Sequence, residues 1–425
     1  MGITGLNENM TGQQTSLKSL QNKSIGIDGH CLLHKAAQNF SQQLLIHKSV
    51  IEIANQTYKY LLQFVKYSKY TILVFDGGYL PAKRPTNEAR KINRDRSLKE
   101  AISSSGSHQT KLLQKSISFT FEQVKDVAEF LISKFQNEQF YCFLSPFEAD
   151  AQLAFLNRTN LADVIITLDS DIYLYGVDQV LFNYNFGLNS GKLVLNCENT
   201  LFTEVQQLKN CSILSGCDYL GSLKGVGLKK AQQAILQGQT ALAGSEILKK
   251  GKNRDFPEGI VNMSQYQQRI LEALVVFQYQ RVYNPIDNNI QMLSDCTQDQ
   301  ILLDKFGDII GEQDSLFNVF RNSKIIQDSC QQLRIDLKHN FIHIGNNLQI
   351  IEAEKLNVDA LKLHIIQSDR LETQYQLSVK IQQVQKPEIV SKYHTNLSNN
   401  NQINYDSIQF ETQIYTSILD AKFLQ

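Results

Sequence analysis

The chain has 425 residues, enough for one large domain or about two to three ordinary ones. Lysine plus arginine and aspartate plus glutamate each number 42, so the formal net charge is zero, and a nucleic-acid enzyme with this balance must gather acid in its active site and base in patches. The seven cysteines are scattered without a Cys-x-x-Cys pair, which speaks against a disulfide framework or a zinc site and for reduced intracellular thiols.

The opening MGITGLNENM lacks the basic-then-apolar pattern of a signal peptide and misses the myristoylation pattern at Leu6. No apolar run approaches the roughly 20 residues that span a bilayer, so an intracellular, soluble protein is expected. Ser24–Asp28 reads as a buried strand ending in an acid, followed by a helical stretch and by a second helix from about Val50 to Tyr67. Thr71–Phe75 is an apolar strand closed by Asp76-Gly77-Gly78, a turn signal. Residues 82–118 are polar, with Lys83, Arg84, Arg90, Lys91, Arg94, Arg96 and Lys99 in close succession. A helix over Phe121–Phe135 and a strand over Tyr141–Leu144 follow, and Pro146-Phe147 opens a helix carrying Glu148 and Asp150. Val164–Leu168 is another buried strand, ending at Asp169-Ser170-Asp171.

Strands alternating with helices imply a parallel sheet with covered faces, and such sheets bind ligands beyond the carboxyl ends of their strands. After Thr203 the pattern turns helical up to Leu214. A loop with Asp218 and Gly225-Val226-Gly227 leads into a helix starting at Lys229-Lys230, and a further helix is expected from about Gln265 to Tyr283. Leu333–Leu337 and Phe341–Ile344 alternate like a hairpin, and the Asn-rich stretch 394–404 reads as disordered.

Seven acids, Asp28, Asp76, Glu148, Asp150, Asp169, Asp171 and Asp218, recur mostly at the ends of apolar runs. Taken singly, each would serve as a turn acid or a helix cap. Gathered at one sheet end, they would repel one another unless cations stood among them, and a pair of Mg²⁺ ions suits oxygen ligands. Two such ions are common machinery for cutting phosphodiesters. Asp169 and Asp171 are taken as facing one side of an extended backbone. Lys83 and Arg90 are two helical turns apart, so they share a face able to clamp a phosphate. Gly225-Val226-Gly227 before a helix suits a phosphate-holding hairpin, with Lys224, Lys229 and Lys230 around it. His30 and His34, four apart on a helix, fit contact with a nucleotide better than a zinc site, and packed core histidines remain an alternative.

MGITGL, IGIDGHCLLHKAA, ILVFDGGYLPAKR, LSPFEADAQLAFL, IITLDSD and ILSGCDYLGSLKGVGLKKA together resemble the flap-endonuclease superfamily of structure-specific 5′ nucleases over about residues 1–285, and most of all its exonuclease 1 branch. The resemblance implies an α/β, PIN-like nuclease domain: a central mostly parallel sheet flanked by helices, a helical arch and a helix–two-turn–helix element. It divides the chain into an N-terminal nuclease region with the start of the arch (1–100), an internal nuclease region completing the active site (101–205), a duplex-binding region (206–290) and a C-terminal extension of unassigned role, partly disordered (291–425).

It also implies that the seven acids hold two Mg²⁺ ions, with Mn²⁺ able to substitute, and that Lys83 and Arg90 steer the scissile phosphate. By the same resemblance, Gly2 packs near the active site, Gly225 and Gly227 grip duplex DNA, and Ser215, Ser222 and Val226 align with ligands of a bridging K⁺. The chain departs from the family at Leu168, where Glu is usual, and at His30, where a stacking Tyr is common. Pro85 is expected to interrupt the start of the arch helix.

The expected activity is metal-dependent 5′→3′ exonuclease action on double-stranded DNA with 5′-flap cleavage, in repair or recombination. The alternatives are a replication-type flap endonuclease or a catalytically silent DNA-binding scaffold. A monomer in the nucleus is expected, although the only candidate import cluster is Lys249–Arg254. Sliding-clamp and mismatch-repair partners belong to the family but have no motif here; the chain's last residues are ILDAKFLQ.

Overall fold

The structure, a computed structural model, describes residues 2–136, 138–251, 254–295, 307–310 and 323–341. All of these belong to one compact unit, Met1–Val358; a second unit, Asp359–Gln425, lies outside the described residues, as does the Asn-rich stretch 394–404.

The main elements in chain order are β1 (Met10–Ser16), β2 (Ser24–Asp28), α1 (Gly29–Ala37), α2 (Ile51–Tyr67), β3 (Tyr70–Phe75), α3 (Arg84–Ile102), α4 (Gly106–Lys115), α5 (Phe121–Lys134), β4 (Phe140–Leu144), α6 (Ala149–Arg158) and β5 (Val164–Thr167), with shorter helical turns between some of them. They continue with a 3₁₀ turn (Ser170–Tyr175), β6 (Gln179–Asn185), β7 (Ser190–Asn199), α7 (Val205–Ser215), α8 (Leu228–Gly238), α9 (Ala241–Gly251), α10 (Met263–Tyr279), β8 (Arg281–Asn284), β9 (Asn289–Met292) and α11 (Lys324–Phe341).

Strands β1 to β7 form one sheet in the order β1-β7-β6-β5-β2-β3-β4. The five strands from β6 to β4 run parallel, while β7 and β1 add antiparallel at one edge. Every residue of β2, β3, β4 and β5 is buried, so these strands read as continuous apolar runs rather than alternating ones. From the central β2 the chain winds outward through β3 to β4, then returns to β5 and winds the other way. The switch therefore falls between β2 and β5, where a crevice opens beyond the strand ends. One face is filled by a core of α1, α2 and α5 side chains, including Leu33, Leu61, Phe64 and Leu131. Thr120 and Gln123 form a reciprocal capping box that fixes the start of α5.

Several expectations are corrected. Pro85 does not interrupt the arch helix: it stands in the first turn of α3, where a missing N–H costs nothing. Helix α10 ends at Tyr279 and the next residues form the β8–β9 hairpin, because Val282 and Tyr283 pack as a strand rather than as a last helical turn. Leu333–Leu337 is not hairpin but lies within α11, and Phe341 ends that helix. The buried positions Ile326, Leu333 and Leu337 recur at helical spacing, which outweighs the local alternation. The rest of the proposed hairpin, to Ile344, lies outside the described residues. No helix among the described residues is long and apolar enough to cross a membrane.

Candidate active site

The parallel strands deliver the acids to one end of the sheet. Asp28 is the last residue of β2 and caps α1, accepting the Cys31 N–H at 3.0 Å. Its other oxygen accepts from the Thr167 hydroxyl at the end of β5, 3.0 Å away, which ties the two strands across the switch point. Asp76 follows β3. Gly77 and Gly78 dock their N–H groups on the carbonyls of Phe147 and Pro146. This brings Asp76 Oδ1 within 2.7 Å of the Ala149 N–H, at the start of α6. Glu148 is the N-cap residue of that helix and Asp150 lies in its first turn.

Asp169 caps the 3₁₀ turn after β5 and accepts the Asp171 N–H at 3.2 Å. The backbone here is therefore a turn, not the extended segment expected from the sequence. The capping contact draws the chain round, so the two carboxylates are not placed by strand alternation. Asp218 comes from the loop after α7.

The charges show that these groups share one basin. Burial raises the carboxyl pKa of Asp150 well above its ordinary value, and the charges of Asp169, Asp28, Glu148 and Asp171 push it further. Asp171 is raised well above its ordinary value by burial and then by Asp169 and Asp218; Asp28 is raised by burial and Asp76, and Asp169 mainly by burial. Asp150 Oδ1 and Asp171 Oδ1 are buried without a hydrogen-bond partner. A buried carboxylate oxygen without a donor is costly, and a cation is the natural remedy.

Part of the positive charge comes from the chain itself. Lys83 Nζ stands 2.5 Å from Glu148 Oε1 and 2.9 Å from Asp218 Oδ2. Burial would lower the Lys83 pKa, but Glu148 and Asp218 outweigh it and hold the ammonium well above its ordinary value. Arg90 Nη2 meets the second oxygen of Asp218 at 2.6 Å, and the Thr86 hydroxyl donates to the Asp218 carbonyl at 2.6 Å. Burial would raise Asp218 too, yet Lys83 and then Arg90 keep its carboxyl below the usual range. The base of α3 is thus fastened to the Asp218 loop. Beyond this base, Ala101 is the one described α3 residue that is buried; Lys91, Arg96 and Lys99 are exposed and Arg94 is half-buried.

Among the described residues, no group of three or more carboxylate, imidazole or thiolate side chains is arranged to hold a metal ion as it stands. The donor chemistry nonetheless suits a hard divalent cation: oxygens only, an excess of negative charge and two unpartnered buried oxygens.

Residues 1–97 match the XPG N-terminal domain and residues 139–218 match the XPG I-region. Over both segments this chain is similar to the XPG superfamily. All seven acids, Lys83 and Arg90 fall inside the two XPG matches. Exonuclease 1 of Drosophila melanogaster is 31% identical over 304 residues, covering 69% of this chain and 41% of the fly protein. Exodeoxyribonuclease 1 of Schizosaccharomyces pombe is 28% identical, covering 69% of this chain and 52% of its own length. This chain thus spans about half or less of these two relatives. DNA damage-inducible protein DIN7 of Saccharomyces cerevisiae is 26% identical over 378 residues and covers 84% of both chains.

The other residues singled out in the sequence fall in three places. Gly2 packs on the site itself: its φ is +90°, a Cβ there would stand 2.3 Å from Asp169 Oδ1, and the Ile3 N–H donates to the Ser170 hydroxyl at 2.9 Å. His30 Nδ1 accepts the Asp76 N–H at 3.0 Å, and its ring meets Phe75 edge-on. His34 turns to Phe119 instead, and burial first, then the neighbouring His30, lowers its pKa to about 4.

In the loop before α8, Gly225 has a φ of +73°, and Lys230 Nζ donates to its carbonyl at 2.6 Å. Gly225, Gly227, Lys229 and Lys230 are exposed. Ser222 lies against Gly216, the Ser215 hydroxyl donates to the Ser212 carbonyl at 2.9 Å, and the Val226 side chain is buried.

Sequence reasoning missed three residues that organise this site. Tyr219 donates to Glu148 Oε2 at 2.6 Å, Tyr175 pairs with Tyr219, and Arg269 reaches the Tyr219 carbonyl. Tyr219 adjoins Asp218 and was within reach of the motif; Tyr175 and Arg269 carry no local signal.

Proposed function

We propose that this chain is a metal-dependent 5′ nuclease that degrades double-stranded DNA from 5′ ends and cuts 5′ flaps, in DNA repair or recombination. The observation that carries this reading is the basin of seven acids at the switch point, with unpartnered oxygens on Asp150 and Asp171, closed on one side by Lys83 and Arg90. The names of the relatives, exonuclease 1 and exodeoxyribonuclease 1, support the same activity.

In this reading Asp28, Asp76, Glu148, Asp150, Asp169, Asp171 and Asp218 hold two Mg²⁺ ions, or Mn²⁺ in their place, some through water. When bound, the ions lower the pKa of an attacking water and stabilise the leaving oxygen. Lys83 and Arg90 are set at one edge of the basin to meet the scissile phosphate and offset its developing charge. Gly225, Gly227, Lys229 and Lys230 contact duplex backbone, so binding should weaken steeply with salt. Ser215, Ser222 and the carbonyl of Val226 are the proposed K⁺ ligands there, and His30 and His34 the residues nearest the reacting nucleotide.

On this division, residues 1–100 and 101–205 build the catalytic body and 206–290 the duplex grip. Work on chromosomal DNA would place the protein in the nucleus as a monomer. Of the candidate import cluster, Lys249 is half-buried and donates to the Arg254 carbonyl, while Lys250 is exposed and pairs with Glu246 on the surface of α9.

The test uses duplexes carrying a 5′-recessed end, a nick or a 5′ flap, with Mg²⁺ or EDTA. Mg²⁺-dependent stepwise loss from the 5′ end is expected. Cutting at the flap junction alone would move the chain to a replication-type flap endonuclease, and binding without any cleavage would leave a scaffold.

A further inference from the structure

The acids and basic residues of the site account for its charge, but not for what holds Glu148 in place. Glu148 precedes α6, and its two oxygens have different partners. Oε1 faces the Lys83 ammonium; Oε2 accepts the Tyr219 hydroxyl at 2.6 Å. Tyr219 has one proton to give, and Glu148 takes it. The 3.0 Å contact between the Tyr219 and Tyr175 hydroxyls must then be donated by Tyr175. Tyr175 closes the 3₁₀ turn that Asp169 caps and that contains Asp171. A directed chain of two phenols therefore runs from the Asp169–Asp171 turn to Glu148.

Both tyrosines are nearly sealed from solvent, at 3% and 5% exposure. Their rings meet Phe277 of α10 at 5.2 and 5.0 Å. The same helix supplies Arg269, whose Nη2 donates to the Tyr219 carbonyl at 3.1 Å and reaches the Ala82 carbonyl, next to Lys83, at 3.5 Å. Glu272 holds the other end of that guanidinium. Helix α10 thus grips the residues adjoining Lys83 and Asp218 through one side chain and the two tyrosine rings through another.

We infer that Tyr219 is a positioning residue for the metal-binding acids: its hydroxyl, backed by Tyr175, fixes Glu148 against Lys83, and its carbonyl anchors that setting to α10. The inference rests on reading the acids as the metal site of a nuclease. Packing alone would be served equally by phenylalanine; the hydroxyl is needed only to orient a carboxylate. Groups that hydrogen-bond to a metal ligand typically change metal affinity about 10–100-fold when removed.

The test is calorimetric titration of Mn²⁺ into the metal-free full chain without DNA, for wild type, Tyr219→Phe, Tyr175→Phe, Glu148→Gln and Glu148→Gln/Tyr219→Phe. Duplex affinity in EDTA and thermal melting are measured alongside. Tyr219→Phe should weaken Mn²⁺ binding about 10-fold and Tyr175→Phe less, with duplex affinity and melting near wild type. Adding Tyr219→Phe to Glu148→Gln should change little further, because the carboxylate it orients is gone. Wild-type Mn²⁺ binding in Tyr219→Phe, or a full additional loss in the double variant, overturns the inference while leaving the nuclease reading intact. If Tyr219→Phe melts early, Tyr175→Phe carries the test, and wild-type Mn²⁺ binding in it overturns the phenol chain. A wild-type chain that binds no Mn²⁺ and cuts no DNA overturns both.

Discussion

Lys83 and Asp218, far apart in sequence, meet at 2.9 Å, and the same ammonium holds Glu148 at 2.5 Å. One lysine at the foot of α3 thereby joins the two halves of the acidic basin: Glu148 comes from the loop after β4 and Asp218 from the loop after α7. All three side chains are mostly buried, with 17%, 11% and 13% exposure. Breaking such a cluster by removing one partner strands the others in low dielectric, which typically costs about 3–5 kcal/mol.

Lys83→Ala should therefore act on both stability and catalysis. In EDTA its melting temperature should fall below that of wild type, and Mg²⁺ should restore more of the loss than it adds to wild type, because a cation replaces a cation. Cleavage in Mg²⁺ should still fall about 10²–10³-fold, the usual loss when a group stabilising developing charge is removed. Melting curves and single-turnover cleavage check the two effects separately.

Gly2→Ala should damage the site more than Gly5→Ala. Both glycines have a positive φ, +90° and +80°, so both variants carry backbone strain. At Gly2 the added Cβ meets Asp169 Oδ1 and the Ser170 hydroxyl at 2.3 Å; at Gly5 the nearest atom is 3.9 Å away. A comparable loss of melting temperature with a much larger loss of cleavage in Gly2→Ala is expected. Equal cleavage in the two variants would contradict the contact.

Mg²⁺ should stabilise the protein more at about pH 8 than at about pH 5.5. Asp28, Asp150, Asp169 and Asp171 have raised carboxyl pKa values, so the metal-free fold binds more protons than the unfolded chain above the ordinary carboxylate pKa of about 3.9. Their contribution to metal-free stability declines as pH rises through that window. Asp218 has the opposite sign: its contribution is present above the unfolded pKa and is lost as acid protonates it. Four raised groups outweigh one lowered. Protons and metal then compete for the same oxygens, and thermal shifts with and without Mg²⁺ at the two pH values should show it.

Removal of α11 should destabilise the fold around the seven-stranded sheet, although no residue of that helix lies in either XPG match. The helix covers the β4 edge: the Ser329 hydroxyl accepts the Cys142 N–H at 3.1 Å, Asp336 accepts the Tyr141 hydroxyl, and Leu333 and Leu337 are fully buried. Leu333→Ala should cost about 2–5 kcal/mol, read by urea unfolding. Truncation before residue 323 should expose a strand edge and promote aggregation.

The parallel core was legible in the sequence because β2, β3, β4 and β5 are sealed on both faces and read as unbroken apolar runs. Strands β1 and β7 were not, since Thr11 to Gln14 and much of β7 are exposed or half-exposed polar residues held by ladder bonds to distant partners. The acids were legible as strand-end residues, and Lys83 with Arg90 as one face of a basic helix. The turn at Asp169–Asp171 was not, because one side-chain-to-backbone bond decides it. Arg269 carries no sequence signal at all: its role comes from two carbonyls supplied by other segments.

The most direct test of the acidic basin as a 5′-nuclease centre compares wild type with Asp171→Ala on a 5′-labelled recessed duplex in Mg²⁺, with duplex binding measured in EDTA. The account predicts metal-dependent loss of nucleotides from the 5′ end in wild type, none in Asp171→Ala, and similar duplex affinity in both. Cleavage that persists in Asp171→Ala, or in EDTA, would contradict it.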